Sequence, residues 1–309
     1  MSGSVLINEV GLRDGLQNQK VAVSLQDKLR LAQALVDSGI RAMEATSFVS
    51  PRAVPQMADA DELFPGLPAP GRIAYSALVP NLRGLERAVR AGVGEVALVL
   101  SATETMNRRN INMGLEEATV VCEQTIVQAR EQGIRAKAYV AVAFHCPFEG
   151  PVDPDVVLAL GERMFTAGAQ EVTIADTIGA AAPTGVFELL RRCVGEWDAG
   201  SISVHLHDTR ALGLANAWAA LQTGIRKFDA SIGGIGGCPF APGAAGNVAT
   251  EDLVVLFEGC GYDTGIDLQE LKRAVAFVGD LLGRPVGGRS SRWLALQDGK
   301  KKNQDAREQ

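Results

Sequence analysis

The stretch ISVHLHDTRALGLANAWAALQTGIRKFDASI, residues 202–232, contains the repeating unit on which the fold prediction rests. Its spacing predicts a strand over Ile202–His207, a helix over Ala211–Gln222 and a second strand over Phe228–Ile232. This order of elements is typical of two parallel strands that are joined by a helical crossover. The stretch therefore predicts an α/β protein with a parallel sheet.

The same alternation extends over most of the chain. Six earlier strands are predicted, at Val5–Val10, Ala42–Thr46, Ile73–Val79, Val96–Ser101, Ala138–Phe144 and Glu171–Asp176. Eight strands with intervening helices predict a (β/α)8 TIM barrel, and two further helical stretches, 250–258 and 268–282, predict a C-terminal helical extension. The periodicity also allows a doubly wound open sheet. However, no GxGxxG follows the first strand, and the glycines of Gly11–Gly15 have the wrong spacing for a dinucleotide site.

Length and composition limit the class of protein. The chain has 309 residues, of which 47% are hydrophobic and 21% charged, with a net charge of −6, so nucleic acid is not an expected partner. No run of about 18 apolar residues predicts a membrane span, and no signal peptide is visible. The five cysteines are odd in number and show no CxxC pair, which favours a reducing cytoplasm. We expect one domain over residues 1–297 and a disordered tail over 298–309.

Polar residues stand where several predicted strands end, which is the catalytic end of a barrel. His205 and His207 alternate along one strand and therefore face the same side. Two core histidines with satisfied hydrogen bonds are the plain alternative. Because the pair lies level with Asp14 and with Asn247, a mixed nitrogen and oxygen set is predicted, which suits Mg²⁺ or Mn²⁺.

Other strand-end residues have both a chemical and an ordinary interpretation. Arg13 is either a surface ion pair with Asp14 or a guanidinium that stabilises a developing oxyanion. Glu44 can orient Arg13 or a metal-bound water, and Asp176 is either a cap or a substrate contact. Cys238 follows four glycines in a segment unsuited to a core, so it is the one cysteine predicted to deliver a thiol to a substrate.

Taken together, these residues resemble the hydroxymethylglutaryl-CoA lyase family, which is built on TIM barrels. The resemblance covers about residues 5–282. It rests on the motifs EVGLRDGLQNQK (9–20), EATSFVSPRAVPQMAD (44–59), VPN (79–81), RRNIN (108–112), CPFEG (146–150), DTIG (176–179), HLHDT (205–209) and GGIGGCPFAPGAAGNVATEDL (233–253).

The resemblance implies a role for each matched residue. The metal ligands it implies are Asp14, His205, His207 and Asn247. The catalytic residues are Arg13, Asp14, Cys238 and Glu44, with Arg13 stabilising an enolate and the Cys238 thiol protonating it. The substrate-binding positions are Arg13, Gln17, Ser47, Asn110, Tyr139 and Asp176, and Glu251 is a supporting acid.

The implied reaction is a metal-assisted retro-Claisen cleavage of 3-hydroxy-3-methylglutaryl-CoA to acetyl-CoA and acetoacetate, a step of leucine catabolism. Asp14 or a metal-bound water is the candidate base. A condensing synthase of the isopropylmalate or homocitrate type is an alternative, but the Cys238-Pro239 loop favours the lyase. A lyase for another branched 3-hydroxy-acyl-CoA is a further alternative, because Arg210 and His145 depart from the family pattern. The family analogy also implies a homodimer.

Overall fold

A computed structural model describes residues 3–237 and 246–296 of the chain. Eight parallel strands in these ranges close into a barrel: β1 (Leu6–Glu9), β2 (Ala42–Ser47), β3 (Ala74–Leu78), β4 (Glu95–Ser101), β5 (Arg135–Ala141), β8 (Glu171–Asp176), β9 (Ile202–Leu206) and β10 (Lys227–Ala230). Their order around the barrel is β1-β10-β9-β8-β5-β4-β3-β2. The prediction of a TIM barrel is confirmed, and the open-sheet alternative is excluded because β1 pairs with both β2 and β10.

Helices cover the outside of the barrel. They are α1 (Leu25–Asp37), α2 (Ala60–Leu63), α3 (Leu82–Arg90), α4 (Glu104–Ile111), α5 (Leu115–Glu131), α6 (Pro154–Ala167), α7 (Pro183–Glu196), α8 (Gly213–Gln222), α9 (Thr250–Gly259) and α10 (Leu268–Leu282). Helix α1 is capped at its N-terminus by Ser24, whose hydroxyl accepts the Asp27 N–H at 3.2 Å. It ends before Gly39, whose φ of +96° favours glycine. Phe228 of β10 packs against Phe257 of α9 with ring centroids 4.7 Å apart, which ties the C-terminal helices to the barrel.

The fifth barrel strand differs from its predicted bounds. It begins at Arg135, three residues before the predicted start, because seven consecutive residues pair with β4. It ends at Ala141, since Val142 has a φ of +50° that a strand does not continue through. A short hairpin follows, in which β6 (His145–Cys146) pairs antiparallel with β7 (Gly150–Pro151). The hairpin begins at His145, directly after the end of the predicted strand, and residues 142–144 of that prediction are not strand.

No helix within residues 3–237 and 246–296 is long and apolar enough to cross a membrane. The predicted tail, 298–309, lies outside the described residues. Most of the described barrel strands have both faces buried, against the helices on one side and within the barrel on the other. Polar side chains inside the barrel therefore need partners from neighbouring strands, and these partners build the site.

Candidate active site

A buried turn at the end of β1 places the first two site residues. The chain forms a π-helical turn over Gly11–Gly15, in which Gly11, Leu12, Arg13 and Gly15 are buried. The Glu9 carboxylate holds the turn, because its Oε1 accepts the N–H of Gly11 at 2.7 Å and that of Ile232 at 2.9 Å. The GLRDG segment thus forms a fixed turn that points Arg13 and Asp14 at the barrel mouth.

The Arg13 guanidinium lies between two carboxylates. Its Nε donates to Glu44 Oε1, and its Nη1 donates to Asp14 Oδ1 at 2.6 Å. Arg13 is only 6% exposed and Glu44 is fully buried, so the pair is shielded from water and from salt. The predicted role of Glu44 in orienting Arg13 agrees with this contact.

Three predicted metal ligands meet at the barrel mouth. Single ligand atoms of Asp14, His205 and His207 lie within 4.8 Å of one another, so the group is able to hold a metal ion. The two imidazole Nε2 atoms are 3.1 Å apart. Ligands at right angles around an octahedral ion, each roughly 2.1 Å from it, are separated by about 3 Å. The two histidines are therefore spaced as neighbouring ligands of one ion.

The fourth predicted ligand, Asn247, adjoins the group. Its Nδ2 donates to Asp14 Oδ2 at 2.7 Å and to the carbonyl of Ile235 at 3.1 Å. Its Oδ1 is buried and has no hydrogen-bond partner among the described residues, and the same holds for His207 Nδ1. A buried amide oxygen without a donor is free to bind a cation. The donor set of two nitrogens and two oxygens therefore fits a divalent ion.

Asp14 and His207 have the protonation state that suits a cation, whereas at His205 the carboxylates of Asp229 and Asp14 outweigh the effect of burial and raise the pKa. Burial alone would raise the pKa of Asp14, but Arg13 and the two histidines outweigh it and lower that pKa to about 2. Burial and the neighbouring His205 lower the pKa of His207 to about 4. At neutral pH the site thus presents an ionised carboxylate and, at His207, an uncharged imidazole, which are the forms that bind metals.

Two residues behind the ligands complete the arrangement. Asp229 Oδ2 accepts the Tyr139 hydroxyl at 2.8 Å and lies 3.1 Å from His205 Nδ1. No sequence pattern singles out Asp229. Tyr139 was predicted to line the substrate pocket, and it does line the cavity, but its hydroxyl points to Asp229 and, at 3.3 Å, to Glu44. Burial and these two carboxylates raise the pKa of Tyr139 well above its usual value, so its hydroxyl keeps its proton.

A cavity of about 460 Å³ opens in front of these residues. Among its lining residues are the predicted positions Arg13, Asp14, Gln17, Asn110, Tyr139, His205 and His207. Much of the remaining wall is apolar and comes from β3, β4, α4 and α5, including Leu78, Val99, Met106, Val121 and Cys122. The cavity thus combines a charged end with an apolar wall, as expected for a small acyl substrate.

Two predicted substrate-binding residues, Ser47 and Asp176, and the predicted catalytic residue Glu44 are absent from the described residues that line this cavity. Ser47 is fully buried in β2, and Glu44 lies behind Arg13. Asp176 accepts the N–H groups of Ala180 and Ala181 at 2.9 and 3.1 Å, so in this structure it caps the turn after β8. Burial raises the pKa of Asp176 even though these two bonds favour its ionised form.

The remaining predicted residues lie around the site. Glu251 accepts the N–H of Gly233 at 3.0 Å and that of Gly288 at 2.7 Å, and so supports the start of the glycine-rich loop. Cys238 lies outside the described residues. Its neighbour Gly237 lines the cavity, and the Gly237 carbonyl accepts a bond from Asn18 at 3.1 Å.

The two departures from the family pattern are set apart from the cavity. Arg210 is exposed, and its Nη1 donates to the carbonyl of Ala180 at 3.4 Å. His145 is half-buried in the β6 hairpin and lines a different cavity, beside the start of α7. Neither residue is among the described lining of the charged cavity. The structure therefore gives no support to a direct substrate contact by either one.

The geometry can be compared with known proteins. Residues 4–278 match the HMGL-like family model. The chain belongs to the HMGL-like family. A hydroxymethylglutaryl-CoA lyase of Pseudomonas mevalonii is 43% identical over 95% of this chain and 97% of its own length. One of Bacillus subtilis is 40% identical over 93% of this chain and 96% of its own length. The predicted family is thereby confirmed.

Solved HMGL-like structures have the same fold. The HMG-CoA lyase of Bacillus subtilis has a TM-score of 0.91 at 39% identity, covering 94% of this chain and 98% of that one. An HMG-CoA lyase from A. baumannii, solved in complex with coenzyme A and 3-methylmalate, has a TM-score of 0.90 at 38% identity. It covers 94% of both chains. The barrel described above is thus that of the HMGL-like carbon–carbon lyases.

Proposed function

We propose that this protein cleaves 3-hydroxy-3-methylglutaryl-CoA to acetyl-CoA and acetoacetate with the aid of a divalent metal ion. One observation carries the proposal. The Arg13 guanidinium and the Asp14, His205 and His207 ligand group line a single cavity of about 460 Å³. The names of the relatives, which are hydroxymethylglutaryl-CoA lyases at about 40% identity over nearly the whole chain, support the same reaction.

The charges of the site fit the steps of this cleavage. A divalent ion, when bound by Asp14, His205, His207 and Asn247, would lower the pKa of the substrate's tertiary hydroxyl. Asp14, with a pKa of about 2, is a weak proton acceptor at neutral pH, which favours its role as a ligand over that of a base. The hydroxyl gives its proton to a water molecule in the cavity, and its oxygen becomes the keto oxygen of acetoacetate. The pair of electrons from the broken carbon–carbon bond passes to the acetyl-CoA enolate.

Arg13 is assigned to the enolate oxygen. Glu44 and Asp14 hold its guanidinium, which is nearly buried, so it needs little reorganisation when negative charge develops in front of it. A fixed donor of this kind typically contributes about 10²–10³ in rate.

Cys238 is assigned to the final proton transfer, in which its thiol protonates the enolate carbon to give acetyl-CoA. The described residues on both sides of segment 238–245 support this assignment. Gly237 lines the cavity, and Asn247 donates to Asp14 at 2.7 Å. Of the four other cysteines, Cys122 lines the cavity, but burial raises its pKa to about 12. Cys146 and Cys193 are buried outside that lining, and Cys260 is exposed.

Purified protein with Mg²⁺ or Mn²⁺ and 3-hydroxy-3-methylglutaryl-CoA tests the proposal, with release of acetyl-CoA as the readout. Cys238→Ser is expected to lose at least about 10²-fold in kcat. Cys260→Ser is the matched control, because Cys260 is exposed, and it should retain wild-type turnover. Wild-type rates in Cys238→Ser would remove the thiol from the mechanism, and equal rates after metal stripping would remove the metal.

A lyase for a larger branched 3-hydroxy-acyl-CoA is a second candidate. The apolar wall of the cavity, with Leu78, Val99 and Met106 among its residues, supports it because such a wall offers contacts to a longer side chain than a methyl group. A panel of 3-hydroxy-acyl-CoA esters with 3-methyl, 3-propyl and 3-isohexenyl substituents separates the two. The substrate with the highest kcat/KM identifies the acyl group.

Further sequence predictions stay predictions. These are a single domain over residues 1–297, a homodimer, a cytoplasmic location, a place in leucine catabolism, and the choice between Mg²⁺ and Mn²⁺. Sedimentation of the purified chain tests the homodimer, and metal titration tests the choice between Mg²⁺ and Mn²⁺. The absence of a membrane-spanning helix among residues 3–237 and 246–296 leaves the compartment open.

A further inference from the structure

Asp229 is a buried carboxylate on the inner face of β10 and is only 3% exposed. Its two oxygens take bonds from three side chains. Oδ1 accepts from Asn8 Nδ2 at 2.7 Å, while Oδ2 accepts the Tyr139 hydroxyl at 2.8 Å and lies 3.1 Å from His205 Nδ1. The barrel register explains the last contact, because Asp229 is paired with His205 across β10 and β9.

The contact with Asp229 sets the orientation of the His205 ring. A carboxylate oxygen only accepts hydrogen bonds, so His205 Nδ1 carries a hydrogen, and in the neutral ring the lone pair is then on Nε2. That Nε2 faces the Nε2 of His207, 3.1 Å away, inside the group that can hold a metal. Asp229 thus stands behind a ligand in the way that carboxylates orient metal-binding histidines.

Asp229 also reaches the other half of the site through Tyr139. The Tyr139 hydroxyl has one hydrogen and two carboxylate neighbours, Asp229 Oδ2 at 2.8 Å and Glu44 Oε2 at 3.3 Å. The other oxygen of Glu44 binds Arg13. The side chains Glu44, Tyr139 and Asp229, which we call the carboxylate brace, therefore connect the arginine to the metal-ligand histidine in one buried chain of contacts.

The charges around the brace explain how a carboxylate is tolerated there. A buried carboxylate without partners costs several kcal/mol. Lys137 is also buried, and its ammonium lies over the Tyr139 ring, 5.4 Å from the centroid, on the same side of β5. A neutral residue at position 229 would fill the barrel without this cost. A charged residue at this position is explained by its contacts, because Asp229 Oδ2 binds both the Tyr139 hydroxyl and His205 Nδ1.

We propose that Asp229 is a positioning residue that fixes His205 as a metal ligand and, through Tyr139, holds Glu44 and Arg13 in place. The inference rests on the proposed function for its catalytic part, whereas its metal-binding part stands on the contacts alone. It predicts that Asp229 governs the affinity for a divalent ion. It also predicts that Tyr139 governs the rate and leaves that affinity nearly unchanged, because the contact between Asp229 and His205 does not pass through the hydroxyl.

The test compares Asp229→Asn with Glu171→Gln, a matched exchange of acid for amide inside the same barrel. Glu171 accepts hydrogen bonds from Ser203 and Lys227 and does not bond to His205. The Glu171→Gln variant therefore controls for the loss of an interior charge. Mn²⁺ binding is measured by titration calorimetry on metal-free protein whose fold is checked by circular dichroism. We expect Asp229→Asn to bind Mn²⁺ about 10–100-fold more weakly and Glu171→Gln to stay within about 3-fold of wild type.

The third variant, Tyr139→Phe, keeps the ring that lines the cavity and removes only the hydroxyl. We expect a kcat about 10-fold lower, with KM and Mn²⁺ affinity within about 3-fold of wild type. A folded Asp229→Asn with wild-type Mn²⁺ affinity overturns the proposal, as does an equal loss in Glu171→Gln or a wild-type protein that binds no Mn²⁺. A wild type that binds Mn²⁺ but cleaves no acyl-CoA overturns the proposed function alone, since the affinities are read without turnover.

Discussion

Two sets of carboxylates, all of them buried except the half-buried Asp14, lie at the same end of the barrel and differ in their partners. The first set is bonded mainly to side chains and consists of Asp14, Glu44 and Asp229. The second set is bonded mainly to main-chain N–H groups and consists of Glu9, Glu251 and Asp252. Carboxylates of the first set contact the Arg13 guanidinium, the Tyr139 hydroxyl and the His205 imidazole. Those of the second set pin the backbone of the loops that frame them.

This difference in partners separates chemistry from support. The first set leaves unpartnered atoms beside it, since Asn247 Oδ1 and His207 Nδ1 are buried with no hydrogen bond among the described residues. Around the second set, each named carboxylate oxygen has a donor, as in Glu251 with Gly288 and Ser291 on Oε1 and Gly233 on Oε2. The unpartnered Asn247 Oδ1 is available to a ligand beside the first set, although Ser231 Oγ, beside the turn that Glu9 holds, is also buried without a partner among the described residues.

The largest expected effect is that of Asp14→Asn, which should lower metal affinity and turnover while the protein stays folded. Asp14→Asn removes the charge of the ligand group but keeps its size, and Arg13 retains its contact with Glu44. We expect Mn²⁺ affinity to fall more than about 100-fold and turnover at least about 10³-fold. The lowered pKa of Asp14 corresponds to roughly 2 kcal/mol of stability at neutral pH, so the free energy of unfolding of the metal-free protein should fall by no more than about 2 kcal/mol. Calorimetric titration, steady-state rates and urea unfolding check the three values, and a large loss of stability would contradict the division between the two sets.

Glu251→Ala tests the second set and should show the opposite pattern. The variant leaves the N–H groups of Gly233 and Gly288 without their acceptor, and each such group costs about 1–3 kcal/mol. We expect the free energy of unfolding to fall by about 3–4 kcal/mol while Mn²⁺ affinity stays within about 3-fold of wild type. Urea unfolding and calorimetry below the unfolding transition measure both. A Mn²⁺ affinity that falls with stability would show that Glu251 acts on the ligands as well.

Glu9, in the second set, has a raised pKa, whereas Asp14, in the first set, has a lowered one, so the stability of the protein should depend on pH through Glu9 in its own way. Burial raises its pKa from 4.5 to about 7, although bonds from Thr250, Ile232 and Gly11 oppose the rise. Between these two values the folded protein keeps a proton that the unfolded chain has released, so this group's contribution to stability is full below pH 4.5 and is lost as pH rises to about 7. The shift corresponds to roughly 3 kcal/mol.

The isosteric Glu9→Gln lacks this titration. Its free energy of unfolding, relative to wild type, should therefore increase by roughly 2–3 kcal/mol between pH 5 and pH 8. Urea unfolding of both proteins at a series of pH values measures the difference. A difference that is constant with pH would mean that Glu9 is ionised throughout, in keeping with its three hydrogen-bond donors.

The sequence predicted much of the first set and little of the second, and the reason is geometric. The alternation of His205 and His207 along one strand is a local property, so their shared face could be read directly. Asp229 has no such signal, because in the strand around Phe228 it is one polar residue among others. Its contact with His205 depends on the strand register, which places the two residues opposite each other on neighbouring strands.

Strand bounds show the same limit. The start of β5 follows from seven pairs with β4, and its end follows from the positive φ of Val142. Neither the pairing partner nor the backbone angle is encoded by hydrophobic alternation alone. Glu251 was predicted only as a supporting acid. Its actual partners, the N–H groups of Gly233 and Gly288, are 18 and 37 residues away along the chain.

The smallest expected effect concerns Arg210, which the sequence marked as a determinant of the acyl group. Asp176 accepts the N–H groups of Ala180 and Ala181, as a member of the second set would, and Arg210 donates to the Ala180 carbonyl in the same turn. Because Arg210 is exposed and is not among the described residues that line the charged cavity, its contact is with the turn and not with substrate. Arg210→Ala should lower the free energy of unfolding by less than about 1 kcal/mol and leave kcat/KM within about 3-fold for every ester of the acyl-CoA panel. A change in the order of preference among those esters would place Arg210 at the substrate and move this turn from support to chemistry.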